Sequence, residues 1–334
     1  MTSHASPESE PQARRRARLV TIIVVVLVAA ALAAWAVTIA AQTAWRPAAH
    51  VAAHSQLPDS TGMGAVKLNV VDLDTMRDFY SGALGLPVLH ETETGVELGY
   101  DRTLIALDTS ADGVASPPPS DAGLYHSAIL YPDDGALAGA LLGVAESAPM
   151  SYQGSADHAV SQAFYFVDPE GNGLELYVDR PSEEWRWVDG EVQMGSAPLD
   201  PNAFIAEHLA ADDDAVGAAA LGHVHLKVGD LAAAEAFYAD TLGFAVTARA
   251  DDAVFYAAGG YHHHVATNTW QSAGAGARST PAGLGSLSIT VDGESALDEL
   301  EARLESAKTP YERAPGRISV DDPWSNEVLV EIAA

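Results

Sequence analysis

The chain has 334 residues, room for two ordinary domains, and carries 46 acidic side chains against 17 Lys and Arg, a formal net charge of −29. Such an acidic surface, with Lys67, Lys227 and Lys308 as its lysines, excludes nucleic acid as a partner, because phosphate binding needs the opposite sign; it suits a salt-loving cell. There is no cysteine, so disulfides, thiolate metal sites and cysteine nucleophiles are excluded.

Residues 1–18 form a polar, basic tail that ends in Arg14-Arg15-Arg16-Ala17-Arg18. Residues 19–44 carry no charge and are rich in Val, Ile, Ala and Leu. At ~1.5 Å per residue such a run crosses a ~30 Å hydrocarbon core. It predicts a single transmembrane anchor with a cytoplasmic N-terminus, the globular part standing outside the cell membrane. The alternative is an exported chain with a cleaved leader, for which Ala41-Gln42-Thr43-Ala44 offers a small-residue site. Residues 45–62 read as a linker.

An internal repeat follows. Val66-x-Leu-x-Val70, Asp72-Leu73, Phe79-Tyr80 and Leu84-Gly85 recur without a gap as Val224-x-Leu-x-Val228, Asp230-Leu231, Phe237-Tyr238 and Leu242-Gly243. Each copy predicts a strand and then a helix, capped near Asp72 or Asp230 and closed by Gly85 or Gly243. Further strands are predicted over 96–99 and 103–108 in the first copy, and over 253–257 and 262–267 in the other. Two more modules begin at Gly123 and Leu284, the last with a helix over 296–306. The Pro-rich run 116–120 links the first two modules.

The second module ends in a hairpin. Phe164–Val167 alternates, Asp168-Pro169-Glu170-Gly171-Asn172-Gly173 supplies the turn, and Leu174–Val178 alternates again. Leu174, Leu176 and Val178 share one face, so Glu175 and Tyr177 point the other way. A carboxylate inside an apolar strand costs free energy unless it is exposed, paired or bound to metal. His158 sits just upstream and Tyr165 on the first strand. In the third module His223 and His225 share a strand face, as His262 and His264 would on a strand through His262-His263-His264. Should those faces meet, four imidazoles would surround an ion.

His158, Tyr165, Asp168-Pro169, Gly171 and Glu175, at their spacing, resemble the extradiol ring-cleavage dioxygenase signature, within the vicinal-oxygen-chelate superfamily. The Phe-Tyr-x3-Leu-Gly helices are similar to those of that superfamily's modules. The resemblance implies an α+β fold: four βαβββ modules paired into two vicinal-oxygen-chelate domains, 63–180 and 221–334, joined by a connector 181–220 and preceded by one transmembrane helix. It also implies Fe(II), or Mn(II), held by two histidines and a carboxylate, with a small aromatic substrate and dioxygen as partners. Carried onto this chain, the metal ligands fall on His126 and Glu175 in the first domain and on His223 in the second, with His225, His262 and His264 as further candidates. Ala65 and Ser286 stand where the remaining histidines would be. His158 and Tyr165 are expected in the substrate pocket, and His263 as the acid–base group. The function implied is a membrane-anchored catechol 2,3-dioxygenase-like protein. The alternatives are a non-catalytic small-molecule-binding member, or a metal-dependent lyase of glyoxalase type. A homo-oligomer is as open as a monomer.

Overall fold

Four times along the chain a strand is followed by a helix and three more strands. The computed structural model describes residues 55–109, 117–209 and 219–333. The first module is β1 (Gly62–Asn69), α1 (Leu73–Arg77, continuing as a π-helical turn Asp78–Ala83), β2 (Val88–Glu91), β3 (Gly95–Gly99) and β4 (Thr103–Asp108). The second is β5 (Gly123–Leu130), α2 (Asp134–Ser147), β6 (Tyr152–Asp157), β7 (Ser161–Val167) and β8 (Gly173–Asp179). The connector holds three two-residue strands, β9 (Trp187–Val188), β10 (Glu191–Val192) and β11 (Ala197–Pro198), and α3 (Pro201–His208). The third module is β12 (Ala220–Lys227), α4 (Leu231–Glu235, continuing as a π-helical turn Ala236–Thr241), β13 (Ala245–Ala250), β14 (Ala253–Ala257) and β15 (Val265–Asn268). The fourth is β16 (Gly283–Val291), α5 (Glu294–Ala307), β17 (Tyr311–Ala314), β18 (Arg317–Asp321) and β19 (Glu327–Ile332).

The modules do not pair in chain order, which corrects the expected domains 63–180 and 221–334. One sheet runs β17-β18-β19-β16-β1-β4-β3-β2, joining modules four and one; the other runs β11-β6-β7-β8-β5-β12-β15-β14-β13, joining two and three. Antiparallel ladders β1–β16 and β5–β12 make the two seams. The physical reason is edge satisfaction: the first strand of each module needs a partner on its open side, and β5 finds it in the next module along the chain while β1 finds it in the last.

The helices tie the modules the other way. Asp72 and Asp230 cap α1 and α4 by accepting the Thr75 and Ala233 N–H at 3.0 and 2.7 Å. The π-helical turns close with Leu84 N–H on Phe79 O and Leu242 N–H on Phe237 O, five residues back. Beside these turns the buried Tyr80 hydroxyl donates to Asp168 of module two at 3.0 Å, and Tyr238 donates to Asp322 of module four at 2.9 Å. Asp168 also accepts the N–H groups of Glu170 and Asn172 within its own turn. Sheets thus join one to four and two to three, while these buried bonds join one to two and three to four.

One apolar core takes in both sheets and the helices, with Val66, Ile129, Val224 and Leu287 packed alongside Met76, Leu141, Phe237 and Leu300. Alternation then turns His126 and Ala128 of β5, and His223 and His225 of β12, to the opposite face. Two bulges interrupt that seam. His223 pairs Ala128 after Leu221 pairs Ile129, which leaves Gly222 extra; Leu226 pairs Leu124 after His225 pairs His126, which leaves Tyr125 extra. The first bulge fits because a Cβ on Gly222 would strike the Tyr177 hydroxyl, and the second because a Cβ on Gly173 of β8 would strike the Tyr125 carbonyl.

Two expectations are corrected here. His262–His264 precede β15 and do not lie on it, since the chain turns at Gly259 and Gly260, both with positive φ, before the ladder begins at Val265. The anchor expected over 19–44 lies outside the described residues, and among the described residues no helix is long and apolar enough to cross a membrane; this corrects the expectation of a membrane-anchored protein with domains outside.

The Tyr125 bulge makes Gly173 a sensitive position. Gly173→Ala is expected to cost about 1–3 kcal/mol in urea unfolding, because β8 must move off β5. Gly139→Ala, in α2 with nothing near its would-be Cβ, is expected to be neutral or stabilising by about 0.5–1 kcal/mol. Equal effects at the two positions would contradict this packing.

Candidate metal centre

Three adjacent strands carry one row of side chains on the face away from the core. His223 of β12 pairs with Ala128 of β5, and Ala128 pairs with Glu175 of β8; His126 lies two residues before Ala128. With strands about 4.8 Å apart, side chains of such a row meet. Glu175 Oε2 lies 3.0 Å from His126 Nε2 and 3.4 Å from His223 Nε2. All three residues are buried, with 3% of Glu175 exposed. Among the described residues this is the group of His, Asp and Glu whose ligand atoms lie within 4.8 Å of one another.

The donor set fits a divalent cation. Burial pushes the Glu175 carboxyl up, but His223 and His126 outweigh it and hold it well below the usual range. Burial lowers His223, with Glu175 opposing. His126 Nε2 is buried with no partner in hydrogen-bonding geometry, although Glu175 is near. A buried carboxylate flanked by two imidazoles is costly to leave alone and is a donor set that a divalent metal repays.

The other candidates take other places. His225 Nε2 accepts from Asn268 Nδ2 at 2.9 Å. His262 Nε2 donates to Asp179 at 2.8 Å, and its Nδ1 lies 2.8 Å from His263 Nδ1. His264 Nδ1 accepts the Ala258 N–H at 3.3 Å. These three therefore fall outside the ligand group, and the expected cage of four imidazoles does not form: the histidine triplet sits in a loop, with both His262 nitrogens and the Nδ1 of His263 and His264 engaged elsewhere. His263 stacks on His223 at 4.1 Å between ring centres. His158 Nε2 meets the Tyr165 hydroxyl at 2.7 Å and its Nδ1 meets the Gly195 carbonyl at 2.7 Å, while the Tyr165 ring lies 5.6 Å from that of His126. The two thus stand beside the group.

Several further residues complete the surroundings, among which Tyr125, Trp270, Asn268 and Asp179 were not singled out by the sequence reading. Tyr125, His225 and Trp270 meet edge to face at 5.1–5.3 Å, and Asn268 holds His225. Tyr261 donates to Asp179 and meets the Tyr177 hydroxyl. Asp179 lines a surface cleft of about 290 Å³ with Leu130, Tyr131, Pro132, Val178 and Ala220. Asp179 continues the period of Glu175 and Tyr177, a signal that was available; Tyr125 turns inward only because of its bulge, for which the sequence has no mark.

The same row in the other sheet is bare. Lys67 pairs with Ser286 as His225 pairs with His126, so Ala65 and Ser286 stand for the two histidines, and Leu329, paired with Ser288, stands for Glu175. Ala65 and Ser286 thus lie together in one sheet, and His126 and His223 together in the other.

Paired βαβββ modules with a two-histidine, one-carboxylate group on the sheet face away from the core define a fold class with a candidate metal site. The chain belongs to the Glyoxalase/Bleomycin resistance protein/Dioxygenase superfamily, whose profile matches residues 62–176 and 220–326. It is 35% identical to the catechol-2,3-dioxygenase of Bacillus subtilis (strain 168) over 286 residues, 82% of this chain and 98% of the relative. It is 27% identical to biphenyl-2,3-diol 1,2-dioxygenase 3 of Rhodococcus globerulus over 135 residues, 37% of this chain and 68% of the relative. In fold alone it superposes on a solved structure from Bacillus subtilis subsp. subtilis str. 168 with a TM-score of 0.53 at 14% identity, covering 84% of this chain and 86% of that one.

Buried imidazoles are expected to make the protein lose stability in acid. Burial, helped by His262 and His223, lowers His264 to about 3, against about 6.5 unfolded. The unfolded chain therefore takes up a proton that the folded one refuses, and stability present above pH 6.5 is lost as pH falls toward 3. His225 and His263 are lowered in the same direction by burial. In metal-free protein, lowering the pH from 7 to 5 is expected to cost about 2 kcal/mol for His264 alone. His264→Asn, which keeps an acceptor for Ala258 N–H, should flatten the urea-midpoint profile by that amount; an unchanged slope would contradict the assignment.

Proposed function

We propose that the protein is an extradiol ring-cleaving dioxygenase acting on a catechol, with a divalent metal, Fe(II) in the first instance, held by His126, His223 and Glu175. The observation that carries the reading is the convergence of these three buried side chains from two modules on one point. The identity to a catechol-2,3-dioxygenase along nearly all of that relative's length supports it. A divalent ion held by His126, His223 and Glu175 would supply Lewis-acid chemistry toward the two oxygens of a catechol and toward dioxygen.

The chain's own residues manage protons around that position. The Gly195 carbonyl can only accept, so His158 carries its proton on Nδ1 and its Nε2 accepts from the Tyr165 hydroxyl. Burial, reinforced by Glu175, raises Tyr165 well above the usual phenol range, which keeps it a donor. On the other side Asp179 takes the His262 Nε2–H, so His262 Nδ1 accepts from His263 Nδ1–H. His263 Nε2 is then a free lone pair beside His223, suited to receive a catechol proton. Asp179 leads that chain to the surface cleft.

Protein reconstituted anaerobically with Fe(II) and then given catechol in air is expected to form a yellow ring-opened product. Glu175→Ala and His223→Ala should abolish it together with metal binding. Tyr165→Phe should keep the metal and lower kcat about 10²–10⁴-fold, the usual worth of a positioned acid or base. Full metal loading with no product from any catechol tested would sink the proposal.

A further inference from the structure

His225 was expected as a metal ligand, and its partners give it a different use. The Trp270 backbone N–H donates to Asn268 Oδ1 at 3.2 Å, which fixes the amide's orientation. Asn268 Nδ2 then faces His225 Nε2 at 2.9 Å and can only donate. Asn268 is fully buried, so this polarity has no water to compensate a reversal. The His225 proton must therefore sit on Nδ1, which has no hydrogen-bond partner among the described residues. By strand alternation the ring lies on the same face as His223, and it meets His126 edge to face at 5.0 Å.

Around this donor stand aromatic rings placed by local backbone devices. Tyr125 is the extra residue of its bulge, which turns its ring to within 5.1 Å of His225. Trp270 lies 5.1 Å from Tyr125 and 5.3 Å from His225 and is 40% exposed, so it marks the solvent side of the group. Phe255 closes the far side, 6.0 Å from His225 and 5.0 Å from His263. Edge-to-face rings of this kind receive a flat aromatic ring, and a single oriented N–H between them addresses an oxygen on it.

We propose that His225 is a substrate-binding residue whose Nδ1–H, oriented by Asn268, donates to an oxygen of an aromatic diol packed against Tyr125 and Trp270. This rests on the catechol reading of the site. The two are separated by measuring binding without turnover: anaerobic absorption titration of the Fe(II)-loaded protein with 4-nitrocatechol, alongside metal content and circular dichroism. Asn places its amide where the His Nδ1 was, and Gln places it where Nε2 was.

His225→Leu and His225→Gln are expected to raise the Kd about tenfold, the worth of one hydrogen bond of this kind, with about one metal per chain retained. His225→Asn should restore it to within about threefold of the native value, and serves also if the Leu variant fails to fold. Equal Kd in native and Leu proteins, or rescue by Gln but not Asn, overturns the role of His225 and leaves the catechol reading intact. Loss of metal from the folded Asn variant overturns it too, by returning His225 to the ligands. Native protein that is fully loaded and binds no 4-nitrocatechol overturns both.

Discussion

The antiparallel ladder between β5 and β12 is the contact on which the rest depends. It sets His225 opposite His126 and His223 opposite Ala128, and the parallel ladder from β5 to β8 sets Ala128 beside Glu175. Three strands from two modules thereby contribute to one row. A slip of one residue would turn the whole row into the helix-packed core, where Val224, Leu226 and Ile129 now lie. The bulges at Gly222 and Tyr125 pin the register, and the close approaches at Gly222 and Gly173 leave little room to relax it.

The second seam repeats the geometry without the chemistry. Ala65, Ser286 and Leu329 occupy the row there, and the Ser288 hydroxyl accepts the Ala65 N–H at 2.7 Å. Lys67, in the position of His225, reaches out to Asp108 at 2.8 Å in a half-exposed pair. A buried carboxylate is kept only where something offsets its desolvation, and that sheet has an apolar residue instead. One sheet therefore serves as scaffold and the other carries the candidate centre. The Tyr80–Asp168 and Tyr238–Asp322 bonds hold the two together across the helices.

Much of this was legible in the sequence. The gapless repeat gave the modules, Asp72 and Asp230 gave the caps, and the alternation around Glu175 marked a carboxylate with no ordinary reason to be there. Pairing was not legible, because four similar copies carry no mark of which first strand joins which. Assuming chain order made each half look short of a ligand, with Ala65 against His126 and Ser286 against His223. Those two deficits belong together in one sheet, and the two histidines in the other. The histidine triplet misled for a local reason, since the turn at Gly259-Gly260 delays the strand until Val265. The apolar run 19–44 lies outside the described residues, and the rest of the chain offers no membrane-crossing helix among those described.

The most direct test of a single centre built across the second and third modules is anomalous diffraction from crystals of the Fe(II)-loaded protein. The account predicts one peak per chain, within about 2.3 Å of nitrogen atoms of His126 and His223 and an oxygen of Glu175. A peak bound by His225, His262 or His264, or a second peak in the row of Ser286 and Leu329, would contradict it.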